Sequence, residues 1–428
     1  MTQGFADTSI DLDNPRPVVS GRSSKTGDLE LLRAQSPMFD AVIEEIRGRQ
    51  IRIGDHWLAD FASCNYLGFD LEPQIIDSVD PQVRRWGTHP SWSRMLGSPR
   101  LYVDIEDRLT ELLGAPDTLV LPTITHIHLT ALPVIAAGGW IFVDSQAHRT
   151  IWDGCKAAAG AGATLRRYPT NDLAELERLL RAAPASVTKV ICTDGVNSMT
   201  GNTCDLPAMA ALARKYDALL YVDDAHGFGV IGEHTPDELC SYGSRGNSVV
   251  KHLGESYDNI VLVGGFSKAY SSLLAFMALP TKLKNHLKVA ASPYLYSGPS
   301  PTASLATVLA GFDVNDDRGD LIRADLHRKT AAVLDVLTEL NMFSRNISGL
   351  PIIEIPLGRA EDLPAVGNFL FERGVYVTLA AYPLVPRAEV GFRVQLTAAN
   401  TMDEIALLGA TLRELAARFP MPSLESFA

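Results

Sequence analysis

LLYVDDAHGFGV (219–230) and NIVLVGGFSK (259–268) are the stretches whose reading decides the fold. Each begins with an apolar run of strand length and then breaks into small, polar and charged residues. Such a run, without alternation, reads as a strand buried on both faces. WIFVD (140–144), TLRRY (164–168) and VTKVICTDG (187–195) repeat the signature upstream. Helical patterns lie between them. LAELERLLRAA, opened by Asn171 and Asp172, spaces its leucines three and four residues apart, and PAMAALARKYDA follows the VTKVICTDG strand. This alternation predicts an α/β fold with a mainly parallel sheet covered on both faces, and it places functional residues at the carboxyl ends of the strands. Ser198, Asp223 and Lys268 each stand just beyond such a run.

Outward from this core the pattern changes. Residues 1–28 are polar and rich in Pro, Ser, Asp and Gly, which reads as a flexible arm before a helical pattern over 28–49. Beyond about residue 300 come a long helical stretch, the strand LPIIEIPLG (350–358), a helix, VYVTLAA (375–381) and GFRVQLTAAN (391–400). A closing helix starts at Thr401, where Thr401 and Glu404 form a capping-box pattern.

Composition narrows the classes. The 428 residues are 46% hydrophobic and 21% charged, with a formal net charge of −12, which suits a globular protein and argues against binding nucleic acid or anionic lipid. Five cysteines (Cys64, Cys155, Cys192, Cys204, Cys240) are scattered without CxxC pairs, so neither a disulfide framework nor a metal site is expected. There is no targeting pattern, and no apolar stretch reaches the roughly 18 residues a membrane span needs. A cytoplasmic location follows as an expectation.

The strand ends carry residues suited to pyridoxal 5′-phosphate (PLP). That cofactor needs a lysine for an imine, an acid against its pyridine nitrogen, a partner for its ring face and donors around its phosphate. Lys268, in GGFSKAYSS, follows an apolar strand among small residues. Asp223 ends another such strand, where a carboxylate is costly to bury without a positive partner, and His226 follows it. His148, in VDSQAHRTIWDG, follows a third strand and is the ring-face candidate. Thr123 and Thr125, in LPTITHIHLT, offer hydroxyls and N–H groups near a helix start, where phosphate binds well. Taken singly each has a plainer reading. Asp223 and Asp224 would cap a loop, a lone histidine is usually a satisfied structural side chain, and the threonines would cap a helix without a ligand.

ASCNYLGF (62–69), DSQAHRTIWDG (144–154), TDGVNSMTG (193–201), VDDAHGFGVIGE (222–233), GFSKAY (265–270) and FRVQLTAAN (392–400) together resemble one family, the α-oxoamine synthases, over roughly residues 30–420. The resemblance implies a PLP-dependent transferase of fold type I. Its large PLP-binding domain, with a mainly parallel sheet between helices, would span 101–300, and a smaller α+β domain 301–428. The segment 29–100 would complete the small domain and the active-site entrance, leaving 1–28 as the arm. Lys268 then becomes the Schiff-base lysine, Asp223 the ring-nitrogen partner and His148 the stacking residue. Ser198 and His226 would approach the cofactor's phenolic oxygen, and Arg393 would pair with the amino-acid carboxylate with Asn65 nearby.

This chain also departs from the family. Thr123 and Ile124 replace a glycine and an aromatic beside the phosphate, and Gly265 replaces a threonine three residues before the lysine, which leaves Ser267 as a substitute donor. His126 and His128 stand where small residues are common. YLYSGPSPT (294–302) matches a segment that reaches the neighbouring subunit's cofactor phosphate in homodimers, with Ser297 as the candidate. The implied activity is condensation of a small α-amino acid with an acyl thioester, carried by CoA or an acyl carrier protein, with loss of CO₂. An aminotransferase or carbon–carbon lyase of the same fold, or a catalytically silent partner subunit, are the alternatives.

Overall fold

In the computed structural model residues 27–423 are described, so the arm expected at the N-terminus lies almost wholly outside the described residues. The first strands, β1 (Glu45–Arg47), β2 (Gln50–Ile53) and β3 (His56–Asp60), form an antiparallel meander. β4 (Thr118–Leu121), β5 (Trp140–Asp144), β6 (Thr164–Tyr168), β7 (Lys189–Asp194), β8 (Leu219–Asp223), β9 (Ile260–Gly265) and β10 (Ala275–Ala278) make one seven-stranded sheet. β11 (Ile352–Pro356), β12 (Val375–Tyr376), β13 (Thr378–Ala380) and β14 (Gly391–Gln395) complete the set.

The large sheet has the order β4-β10-β9-β8-β7-β5-β6. β9, β8, β7, β5 and β6 run parallel, while β10 pairs antiparallel with both β4 and β9. The expected α/β sheet is present, with this one reversal. Its two faces bury separate apolar clusters. Leu220 and Val222 belong to one, and Tyr221, Val261 and Val263 to the other. Period-two alternation is the cause, since successive strand side chains point to opposite faces. Asp223 therefore shares a face with Tyr221, and that face packs against the helix Ile124–Ala136 through Ile127, Ala131 and Leu132.

The register brings the active strand ends together. Asp194 of β7 pairs with Asp223 of β8, and Asp223 pairs with Val263 of β9, five residues before Lys268. The helices between strands start where their caps allow. Asp172 accepts a hydrogen bond from Glu175 N–H to open Leu173–Ala182, as the Asn171-Asp172 reading expected.

One local expectation is corrected. The helical pattern over 28–49 is helical only at Gly27–Gln35, and its second half enters the β1–β2 hairpin. Pro37 disfavours helical backbone at Ser36, and Gly48, at φ 59°, supplies the left-handed turn residue. VYVTLAA divides between two sheets. Val375–Tyr376 pairs parallel with β3, whereas Thr378–Ala380 pairs with β14, so the segment joins two sheets. The β11-β14-β13 sheet and the helices Thr302–Glu339, Leu363–Glu372 and Met402–Arg418 make up the later part of the chain. The Thr401 capping box forms as read, with both reciprocal hydrogen bonds present.

Candidate active site

A cavity of about 290 Å³ opens at the carboxyl ends of the central strands. Thr123, Ile124 and Thr125 form one wall, at the start of the helix Ile124–Ala136. The Thr123 hydroxyl accepts from His126 N–H, so the capped-helix reading of this segment is correct. It does not exclude a ligand, because the N–H groups of Ile124 and Thr125 lie in the first turn and have no intrahelical acceptor. They sit at the positive end of a helix of 13 residues. Ser267 and Lys268 face them from beyond β9, with His148, Ser198, Asp223 and His226 around the remaining walls.

Gly265 lies at the end of β9, and a Cβ there would come within 2.7 Å of Ile124 Cδ1. The two departures from the family pattern thus compensate one another: the missing threonine side chain leaves the space that Ile124 fills. Gly265 has no side chain to offer a phosphate, and Ser267 is the hydroxyl beside the lysine that lines the cavity.

The two adjacent aspartates divide by face. Asp224 turns away from the cavity and accepts from Val249 N–H at 2.9 Å, the structural role foreseen for this pair. Asp223 lines the cavity while only 4% exposed. Its Oδ1 accepts from Ala225 N–H at 3.0 Å and its Oδ2 meets His128 Nε2 at 2.9 Å. Burial alone would raise its pKa, but the His128 hydrogen bond and the positive charges around it hold the carboxyl below its ordinary value. Asp194, across the strand pair, goes the other way. Burial and the neighbouring Asp223 charge push it well above the usual carboxylate range.

His148 caps the helix Arg149–Gly160. Its own N–H is held by Asp194, and its Nδ1 accepts from Thr150 N–H. With Nδ1 an acceptor, the ring carries its proton on Nε2. Reduced hydration lowers its pKa against the pull of Asp223. His226 is held well below the ordinary imidazole value by burial and by the charges of Lys268 and Arg393, so it is neutral at neutral pH. Its Nδ1 lies 2.7 Å from the Tyr66 hydroxyl. Among the described residues the Lys268 ammonium has no hydrogen-bond or salt-bridge partner.

Three expected residues lie apart from the cavity lining. The Arg393 guanidinium donates to the Ser198 carbonyl, one shell behind the wall. Asn65 is half-buried in the 62–69 segment, where its carbonyl accepts from Gly68 N–H. Ser297 hydrogen-bonds the carbonyl of Gly298, in a segment whose Tyr296 is 82% exposed. Conversely, Tyr66, His128 and Asp194 were not singled out as site residues. Tyr66 sits beside Asn65 in a segment already singled out; for the other two the only signal was position, a histidine among apolar helix residues and an aspartate ending a strand.

A family profile described as "Aminotransferase class I and II" matches residues 60–410, and the chain belongs to that family. The 8-amino-7-oxononanoate synthase of Dechloromonas aromatica is 32% identical over 380 residues, covering 88% of this chain and 94% of that protein. A serine palmitoyltransferase of Sphingobacterium spiritivorum is 28% identical over 365 residues, 85% of this chain and 88% of its own. Both are α-oxoamine synthases. The solved structure of Sphingomonas wittichii serine palmitoyltransferase superposes with a TM-score of 0.85 at 24% identity, covering 95% of this chain and 100% of that one, which shows the shared fold.

The chain is thus a PLP-dependent enzyme of fold type I, and its cavity fits the cofactor. The fit rests on the unpartnered lysine, the buried anionic Asp223 and the free N–H groups at the helix start. Among the described residues no group of three or more potential ligands could hold a metal ion. No described helix is long and apolar enough to cross a membrane.

Proposed function

We propose that this protein condenses a small α-amino acid with an acyl thioester and releases CO₂, giving an α-aminoketone. The observation that carries the reading is the convergence of Lys268, Asp223, His226, His148 and Ser198 on one cavity beside a free helix N-terminus. Bound PLP supplies an electron sink for negative charge at the amino-acid Cα. Lys268 Nζ would hold the cofactor and would serve as the base that takes the Cα proton. Asp223 would hold the proton of the ring nitrogen. Ser198 and neutral His226, the latter oriented by Tyr66, would hydrogen-bond the phenolic oxygen. With the cofactor bound, His148 would pack against the ring face and would donate from Nε2–H to the acyl oxygen, where charge develops.

The first turn at Thr123, Ile124 and Thr125, with Ser267, holds the phosphate. Arg393 recognises the substrate carboxylate through its two-donor fork, with Asn65 beside it. This requires the guanidinium to swing from the Ser198 carbonyl. The amino-acid substrate is held at one end and the thioester approaches from the open side.

A screen of amino acids against acyl thioesters, following thiol release and product mass, tests the reading. Thiol release that needs both substrates supports it. Keto acid formed from amino acid alone would show an aminotransferase instead, and cleavage of the amino acid without thioester a lyase. Failure to bind PLP at all would favour the silent subunit.

The site is completed in a homodimer. Trp92 (58%), Leu96 (77%), Leu273 (57%) and Tyr296 (82%) are large apolar or aromatic side chains exposed on a single chain, and Leu273 also lines the cavity. A second copy covers them, and its Ser297 reaches the phosphate. Sedimentation equilibrium should return twice the chain mass; a monomer with full activity would exclude this arrangement. A cytoplasmic location agrees with the free thiols of all five cysteines.

A further inference from the structure

His128 is fully buried on the sheet-facing side of the helix Ile124–Ala136, among Ile127, Ala131 and Leu132. An imidazole in such a stripe is costly unless both nitrogens are satisfied. Both are. Nε2 lies 2.9 Å from Asp223 Oδ2, and Nδ1 lies 2.9 Å from the Tyr221 hydroxyl. Tyr221 and Asp223 are two residues apart on β8, so strand periodicity presents both to the same helix face.

Hydrogen-bond accounting selects one arrangement. Asp223 is an acceptor, so Nε2 must donate to it. Among the described residues the Tyr221 hydroxyl meets no acceptor other than Nδ1, and burial keeps it protonated. A doubly protonated imidazole would leave the tyrosine proton buried without an acceptor. The chain therefore runs from Tyr221 O–H to Nδ1, and from Nε2–H to the Asp223 carboxylate.

We propose that His128, locked in this tautomer by Tyr221, is a positioning residue that keeps Asp223 ionised and aimed, and so sets the protonation of the cofactor's ring nitrogen. Without that donor, a carboxylate 4% exposed would have a single backbone N–H to offset its loss of water. The direction of the Asp223 shift agrees, since the His128 hydrogen bond is the largest influence opposing burial. Other charged groups also face Asp223: Lys268 from beyond β9, His148 from beyond β5 and Asp194 from β7. The thiols of Cys155 and Cys192 lie beside Tyr221. None of them offers Asp223 a second side-chain hydrogen bond among the described residues.

The inference rests on Asp223 as the ring-nitrogen partner, so the test carries Asp223→Asn as a reference. PLP affinity of the apoenzyme and the pH dependence of bound-cofactor absorbance are measured for the whole chain, with thermal unfolding as a check on folding. His128→Leu should weaken PLP binding about ten- to a hundredfold and move the absorbance transition. His128→Gln, whose amide N–H reaches the same carboxylate, should recover most of the loss. A folded His128→Leu with wild-type affinity and an unmoved transition overturns the proposal, provided Asp223→Asn does impair binding.

If Asp223→Asn also binds normally, the ring-nitrogen assignment itself fails. Should His128→Leu not fold, Tyr221→Phe decides. Removal of that one oxygen should cost about three- to tenfold in affinity by releasing the tautomer lock, and an unchanged variant overturns the proposal.

Discussion

Lys268 and Asp223 come within one cavity because β8 and β9 are parallel neighbours, so both chains emerge at the same edge of the sheet. Replacing Lys268 with Ala removes both the attachment point and the base. Turnover should fall by at least about a thousandfold, toward the upper end for loss of a general base, and PLP should dialyse away; retained activity would remove the basis of the functional reading. The Gly265–Ile124 pair gives a second residue-scale prediction. Gly265→Thr would bring its Cβ within 2.7 Å of Ile124 Cδ1, force that side chain to shift and cost roughly 1–3 kcal/mol in stability by overpacking, measured by urea unfolding. Adding Ile124→Ala should restore most of it, and an additive double mutant would refute the compensation. Lysine and aspartate were legible from position alone, since each ended an apolar run. The Ile124 contact was not, because the two residues lie on different elements and only packing brings them together.

Element boundaries followed local chemistry wherever the signal was a cap or a turn. Thr401 accepts from Glu404 N–H, and Glu404 accepts from Thr401 N–H, so Thr401→Ala should destabilise the closing helix by about 1 kcal/mol. Thermal unfolding monitored at several wavelengths measures it, and Thr401→Ser should lose only a few tenths. Local signals stop short where a segment serves two partners. Val375–Tyr376 and Thr378–Ala380 are continuous in β propensity yet pair with different sheets, and pairing partners are not written in local propensity. The helical expectation over 28–49 failed for a local reason. The apolar spacing there suits a helix, but Pro37 and Gly48 break it and β2 offers β1 a full ladder.

At the scale of the molecule, burial sets a pH dependence that belongs to no single element. Glu354 of β11 is 1% exposed, both its carboxyl oxygens lack hydrogen-bond partners, and it faces Arg393 in register across β14. Burial, only partly offset by Arg345, raises its pKa from 4.5 to about 7. The unfolded chain therefore gives up this proton at lower pH than the folded one, and stability falls as pH rises through that window, then levels off above it. The full difference corresponds to roughly 3 kcal/mol. Glu354→Gln should be more stable than the parent at pH 8 by a measurable part of that, with the gap closing near pH 5, in paired urea titrations; a gap independent of pH would refute it. By itself the sequence determined the α/β class and the strand-end residues, because apolar runs, caps and small residues are local signals that physics reads the same way in any context, while the cofactor followed from motifs that resemble a family. Only the tertiary structure decided that β10 runs antiparallel, that the carboxyls of Asp223 and Asp194 are shifted in opposite directions, and that His128 hydrogen-bonds Asp223. Those outcomes depend on which faces meet, and burial and hydrogen bonding across a sheet are properties of the packed chain.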